Sequence, residues 1–352
     1  MKKVCLIGCG GIGSHHLDEL LRMGDLIEIV GLCDFDEEKA LKLTRRAGQG
    51  VAYTDYCKML DETSPDMVFI CVPPYCHGDI ELDVIGRGIP FFVEKPVAID
   101  MELARRIRDA AEEKGLITSA GFQCRYSSTV PPARNFCDSN EIIYVDCTRV
   151  GNVPGAFWWR DKGLSGGQLV EQTIHQLDII RYLMGEPDEV FSYNTRGFAK
   201  GITDYETDDC SVTVVKFKNG AIGTITSGCY STDDKCFDSK IVFSARDSRA
   251  ELKITDKLTV FAPLPEDKRS LKELATAFDS GICKQIDEST LEYPADFDSE
   301  SYLCVKAFVD AVITGDKGLI RSDYRDATRS LAFALACNDS MKTGQPVKVT
   351  IE

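Results

Sequence analysis

No stretch of the chain approaches the run of about eighteen apolar residues that a membrane-spanning helix needs, so a membrane protein is not expected. The N-terminal segment MKKVCLIGCGGIGSHH has a charged start and an apolar run, but that run is too short for a secretory signal and breaks at glycines. The expected location is the cytoplasm. Clusters of Lys or Arg are missing as well. With 41 basic against 56 acidic residues, the formal net charge is −15, a balance that repels phosphate backbones and anionic lipid. Nucleic acids and membranes are therefore not expected as partners. The fifteen cysteines include no CxxC pair. The nearest neighbours, Cys5/Cys9 and Cys71/Cys76, have spacings that suit no zinc site, and no metal is expected. Several thiols (Cys5, Cys33, Cys71, Cys147) lie in apolar runs, where cysteine behaves as a small hydrophobe, reduced as in most cytosolic enzymes. Internal repeats and low-complexity linkers are absent too.

What is present is the composition of a globular protein, 43% hydrophobic and 28% charged. At 352 residues it exceeds one ordinary domain, and two are expected. Up to about residue 121, short apolar runs alternate with amphipathic stretches. Val4–Ile7, Ile27–Cys33, Met67–Val72, Phe91–Val93 and Ile117–Ala120 read as buried strands. Helical patterns fall between them at Ile12–Met23, Glu37–Ala47, Gly78–Arg87 and Met101–Lys114. Strand and helix in alternation imply a parallel, doubly wound sheet covered on both faces.

Beyond that point the rhythm changes. A strand at Ile142–Val150 precedes a long helix expected over Gln168–Met184. Six strands follow with little helix between them: Val190–Thr195, Ser211–Phe217, Ala221–Ser227, Lys240–Phe243, Ala250–Ile254 and Leu258–Ala262. Asn219-Gly220 gives a hairpin signal between two of them. This pattern predicts a largely antiparallel sheet, closed by helices at Glu300–Thr314 and Ser322–Thr343 and a last strand at Val347–Ile351. Residues 263–268 and 294–299 read as surface loops. The expected division is 1–122, a nucleotide-binding domain, and 123–352, a second α/β domain.

Gly8-x-Gly10-x-x-Gly13 follows the first strand and opens a helix. The first glycine permits a tight turn, the second a close approach to a pyrophosphate, and the third close helix–strand packing. The helix start, with Gly11 and Ile12, offers unpaired N–H groups to phosphate. Asp34 ends the next strand about 20 residues on, where a carboxylate accepts from ribose hydroxyls. Its charge opposes a 2′-phosphate, and Phe35-Asp36-Glu37-Glu38 supplies no cation before Lys39. NAD is thus expected over NADP. Val72 and Pro73 close the strand Met67–Val72 at the edge where such sheets bind ligands. His77 follows, and either lines this edge or caps the next helix.

Two further pieces carry chemistry. Glu94-Lys95-Pro96 ends the strand Phe91–Val93, so Lys95 either polarises a substrate oxygen there or pairs with Glu94 at the surface. On the helix expected over Gln168–Met184, Glu171, His175 and Asp178 fall at i, i+4 and i+7, one stripe beside the apolar Val170, Ile174 and Leu177. A histidine between two carboxylates is suited to take the proton of an alcohol; a structural His–Asp bond is the other reading. Gly166 and Gly167 would let this helix begin close to a ligand. Trp158, Trp159 and Arg160 shape a sugar-sized pocket, or the two tryptophans belong to the core.

In this order, Gly8-x-Gly10-x-x-Gly13-x-x-His16, Glu94-Lys95-Pro96, Gly121-Phe122-Gln123-Cys124-Arg125-Tyr126, and Gly166-Gly167-x-x-x-Glu171-x-x-x-His175-x-x-Asp178 resemble the glucose-fructose oxidoreductase / inositol dehydrogenase / MocA family. Tyr324 through Gly344 resembles its closing helix. The resemblance implies a Rossmann domain with NAD and an open, mostly antiparallel second sheet that builds homodimers or homotetramers. It also implies that Lys95 and His175 act beside the nicotinamide, that Arg125 lies near substrate, and that the Lys95–Pro96 bond is cis. Glu171 stands where the family commonly has Asp, so its contact with substrate is the least determined. The implied activity is hydride transfer between NAD and a secondary alcohol of a sugar, cyclitol or related polyol. An NAD-assisted glycoside hydrolase and a non-catalytic NAD-binding regulator are the alternatives; a regulator has no need of both Lys95 and His175.

Overall fold

The structure is a computed structural model that describes every residue except 233, 255, 263–283, 288, 297–299 and 351–352. The chain forms two compact units. One comprises Met1–Gln123 with Ser301–Leu331, the other Cys124–Glu300 with Ala332–Glu352.

In the first unit six parallel strands stand in the order β3-β2-β1-β4-β5-β6. They are β1 (Lys2–Ile7), β2 (Ile27–Cys33), β3 (Val51–Tyr53), β4 (Met67–Ile70), β5 (Phe91–Val93) and β6 (Thr118–Ala120). Strands β4 and β5 are buried along their whole length, as expected of a sheet covered on both faces. Helices α1 (Gly11–Leu21), α2 (Glu37–Ala47), α3 (Tyr56–Thr63), α4 (Asp79–Gly86) and α5 (Met101–Glu113) connect them. Local chemistry sets their ends. At α2, the Asp36 carboxylate accepts from the N–H groups of Glu38 and Lys39, Glu37 and Glu38 fill the first turn, Arg45 and Arg46 the last, and Gly48 closes it at φ +67°. The strand order reverses between β1 and β4, which makes their carboxyl ends a ligand-binding switch point. Helix α11 (Glu300–Thr314) and the start of α12 (Tyr324–Thr343) belong to this unit from Ser301 to Leu331. Phe308 of α11 meets Phe69 at 5.4 Å edge to face.

The second unit carries a ten-stranded sheet in the order β14-β15-β13-β12-β11-β7-β10-β9-β8-β16. Its strands are β7 (Tyr144–Asn152), β8 (Pro187–Thr195), β9 (Cys210–Phe217), β10 (Ile222–Ser231), β11 (Asp238–Ser244), β12 (Arg249–Lys253), β13 (Lys257–Phe261), β14 (Lys284–Asp287), β15 (Thr290–Pro294) and β16 (Val347–Lys348). Every pairing is antiparallel except that of β7 with β10. Gly220, at φ +93°, turns the expected hairpin between β9 and β10. Burial alternates along β9, so one face of the sheet is core and the other is open. Helices α6 (Val130–Ser139), α7 (Phe157–Arg160), α8 (Lys162–Ser165), α9 (Gln168–Glu171) and α10 (Ile174–Met184) complete the unit.

Three expectations need correction. The helix predicted over Gln168–Met184 is broken at Gln172 and Thr173: the Thr173 N–H reaches back five residues to the Gln168 carbonyl, and the Thr173 hydroxyl bonds Ser227 Oγ at 2.6 Å. Pro294 is not in a loop but ends β15, opposite Lys257. The last strand, expected over Val347–Ile351, ends at Lys348; the loop expected over 263–268, residues 297–299 and Ile351 lie outside the described residues.

Candidate active site

In the first unit the nucleotide turn is set by contacts that only glycine permits. Gly8 takes φ +97°, and a Cβ there would lie 2.3 Å from the Cys71 carbonyl oxygen. A Cβ on Gly13 would lie 1.9 Å from the Gly8 oxygen, so α1 can pack on β1 only through glycine. Gly10 and Gly11 differ: a Cβ on either meets nothing within 4 Å. Room is kept in front of them. Gly10 caps α1 with no side-chain bond, the first turn holds no acidic residue, and Ile12 is 39% exposed. The N–H groups there remain available to an anion. Asp34 closes β2 in a buried position, accepting from the Cys9 N–H at 2.8 Å and the Asp36 N–H at 3.0 Å. Each carboxylate oxygen keeps a lone pair for a ribose hydroxyl. Burial and then the Asp34 charge push the Cys9 and Cys33 thiols up to about 12, which leaves both protonated and inert at neutral pH.

Val72 and Pro73 follow β4 at the same edge. His77 is not the helix cap. Gly78 occupies that position and donates its N–H to Glu81 Oε2 at 2.6 Å, while His77 Nδ1 meets Glu81 Oε1 at 2.6 Å. Both side chains are completely buried. Glu94 closes β5, and its carboxylate meets His16 Nε2 of α1 at 2.5 Å. The Lys95–Pro96 bond is cis. Lys95 itself is half-buried.

In the second unit, α9 and α10 form an elbow around Gln172–Thr173. Glu171 is buried at its inner end, and His175 is half-buried on the first turn of α10, with its Nδ1 3.9 Å from Cys124 Sγ. Asp178 stands one turn further along α10. Asp178 receives Arg125 Nε at 2.7 Å and Nη2 at 2.6 Å, and both residues are buried. Arg125 also lies 4.4 Å over the Tyr182 ring. Its place is thus inside a buried, bidentate ion pair. The glycines before α9 face protein atoms: a Cβ on Gly166 would press on Val170 and one on Gly167 on the Lys162 chain. Both take positive φ, +77° and +84°, which suits glycine. Trp158 and Trp159 stack at 6.1 Å, neither is buried, and Trp159 Nε1 donates to Gln168 Oε1 at 3.2 Å. The core alternative for the tryptophans therefore falls away.

One residue was missed from the sequence. Arg149 of β7 donates to Gln172 Oε1 at 3.1 Å, stacks 4.9 Å over Phe237, and interacts electrostatically with Glu171. Burial lowers its pKa, with Glu171 opposing. No local signal marks an arginine inside an alternating strand as part of a site. Among the described residues, no group of three or more His, Cys, Asp or Glu side chains could hold a metal ion, and no helix is long and apolar enough to cross a membrane.

A glycine turn left open to an anion, with a carboxylate at the tip of the adjoining strand, defines the first unit as a dinucleotide-binding domain of the dehydrogenase type. The chain belongs to the Gfo/Idh/MocA oxidoreductases: residues 2–122 match that family's NAD-binding Rossmann fold and residues 140–349 its C-terminal alpha/beta domain. It is 24% identical to the scyllo-inositol 2-dehydrogenase (NAD(+)) of Bacillus subtilis, over 99% of this chain and 97% of that protein. It is 29% identical to the D-glucoside 3-dehydrogenase of Escherichia coli, over 62% of this chain and 68% of that one. The fold matches that of the WlbA dehydrogenase of Bordetella pertussis, solved with NADH and UDP-GlcNAcA, at a TM-score of 0.82 and 19% identity, covering 100% of this chain and 98% of the other.

Proposed function

We propose that the protein is a cytoplasmic NAD-dependent dehydrogenase that oxidises a secondary alcohol of a sugar, cyclitol or related polyol. The observation that carries this reading is His175, a half-buried imidazole on the α9–α10 elbow, in a chain whose first unit has an open dinucleotide turn and Asp34. The inositol and glucoside dehydrogenases among its relatives support the substrate class.

Gly8, Gly10, Gly11, Ile12 and Gly13 form the phosphate turn, Asp34 accepts from the ribose, and Val72, Pro73, His77, Glu94 and Lys95 border the rest of the cofactor. Bound NAD supplies the hydride acceptor. His175 takes the hydroxyl proton, and the Lys95 ammonium orients and polarises the reacting oxygen. Glu171, Trp159 and Arg149 contact or align the substrate's other hydroxyls. Arg125 acts through Asp178, as a positioning residue for α10. The open face of the second sheet, where Tyr193, Val212, Val214 and Ile222 are 68, 47, 50 and 50% exposed, packs against a second copy, giving a homodimer or homotetramer.

Screening sugars and cyclitols for NAD reduction, together with mass spectrometry of copurified ligand, tests the reading. A polyol that turns over with NAD is the expected result. Failure of every polyol in a panel spanning inositols, glucosides and sugar phosphates would reject the substrate class.

A further inference from the structure

We propose that His16 and Tyr324 hold Lys95 in its working position by anchoring the backbone on either side of it, a role that rests on Lys95 being a residue of the reaction. Before Lys95, the Glu94 carboxylate is tied to His16 Nε2 at 2.5 Å, and its other oxygen accepts the Lys95 N–H at 3.2 Å. Both His16 and Glu94 are buried. The imidazole lies among phenyl rings, edge-on to Phe92 at 5.1 Å and 6.2 Å from Phe69, and its Nδ1 meets no hydrogen-bonding atom among the described residues. Its polar contact is therefore the one to Glu94. Space for that carboxylate depends on Gly121, where a Cβ would lie 2.6 Å from Glu94 Oε1.

After Lys95, the Tyr324 hydroxyl donates to the Val97 carbonyl at 3.0 Å. Tyr324 is itself fixed: it is 1% exposed, its N–H donates to Thr118 Oγ1 at 3.0 Å, and its ring stands against Phe91 at 6.0 Å. Four residues, 94 to 97, are thus tied at both ends with the lysine between. The first tie comes from α1, whose opening turn is the phosphate turn. The helix that receives the cofactor therefore also carries the anchor of the lysine. Small displacements of a reacting group have large kinetic consequences, roughly 10²-fold for 1 Å, so such a double tie has a chemical purpose beyond stability.

Acylation by acetic anhydride, read at Lys95 by peptide mass spectrometry with and without NAD, tests this on the full chain. In the wild type, NAD should protect Lys95. Tyr324→Phe and His16→Ala should each raise the Lys95 rate in the NAD-free protein by roughly tenfold, the factor that loss of one buried hydrogen bond gives a local opening. Exposed Lys58 should be unaffected, and His16→Gln, which keeps an N–H donor, should restore the wild-type rate. Tyr324→Phe removes a single oxygen and keeps the test available should His16→Ala fail to fold. Unchanged Lys95 rates in the variants, or rates rising equally at Lys58, would overturn the proposal while leaving the role of Lys95 intact. Absence of NAD protection in the wild type would overturn both.

Discussion

At the scale of single residues, Asp34 is the residue we propose to set the choice of cofactor. Its neighbours Phe35, Asp36, Glu37 and Glu38 bring no cation, and Lys39, the first one, is paired with Asp36 at 3.5 Å. A 2′-phosphate beside this carboxylate meets a like charge with nothing to neutralise it. NAD should bind at least roughly tenfold more tightly than NADP, and Asp34→Ala should narrow the gap; titration of both cofactors checks this, and equal affinities in the wild type would remove Asp34 from the ribose site. Glu300 makes a different kind of statement. Burial raises its pKa from 4.5 to about 7, so the folded chain holds a proton that the unfolded chain releases near 4.5. Stability contributed by that protonated form is lost as pH rises from about 4.5 through 7, and the loss is complete above it. Glu300→Gln should therefore raise the melting temperature at pH 8 and leave it nearly unchanged at pH 4.5; a pH-independent effect would contradict the assignment.

At the scale of elements, the α9–α10 elbow shows both what could be foreseen and what could not. The periodicity of Val170, Ile174 and Leu177 marked buried faces on both helices but not the break between them, and the glycine turn before α1 was legible because all its determinants lie within a few residues. The break at Thr173 was not legible, because the partner of the Thr173 hydroxyl is Ser227 of β10, 54 residues away. For the same reason the spacing gave no sign that Arg125, 53 residues distant, holds Asp178 in an ion pair. Helix α6 was missed because it opens with Pro131 and Pro132, which look like breakers but sit at positions where a helix needs no N–H. Strand β3 and helix α3 were too short to show a period. Since Arg125 and Asp178 are both buried, breaking their pair leaves an uncompensated charge. Arg125→Ala should cost about 3–5 kcal/mol in denaturant unfolding, whereas a change near that of a surface pair would show that the pair is solvated.

At the scale of the whole molecule, the alternation of strand and helix announced the parallel sheet, and the run of strands joined by turns announced the antiparallel one. The return of Ser301–Leu331 to the first unit had no such sign, since amphipathic helices look alike wherever they pack. The open sheet face is legible in hindsight from β9, where Val212 and Val214 alternate with buried residues. Cross-strand neighbours extend the apolar patch, Phe191 and Thr224 beside Val214, Tyr193 and Thr226 beside Val212. On the proposed assembly, light scattering should give an oligomer for the wild type and a monomer for Val214→Asp; a monomeric wild type, or a mass unchanged by the substitution, would contradict the proposed interface. The central claim, that this chain moves a proton and a hydride at an alcohol, is tested most directly by turnover of His175→Ala with NAD and the polyol identified by screening. Turnover should fall by roughly 10²–10⁴-fold with NAD affinity nearly unchanged, the usual contribution of a positioned acid–base group. Turnover equal to that of the wild type would contradict the account, because no other residue has been assigned the proton.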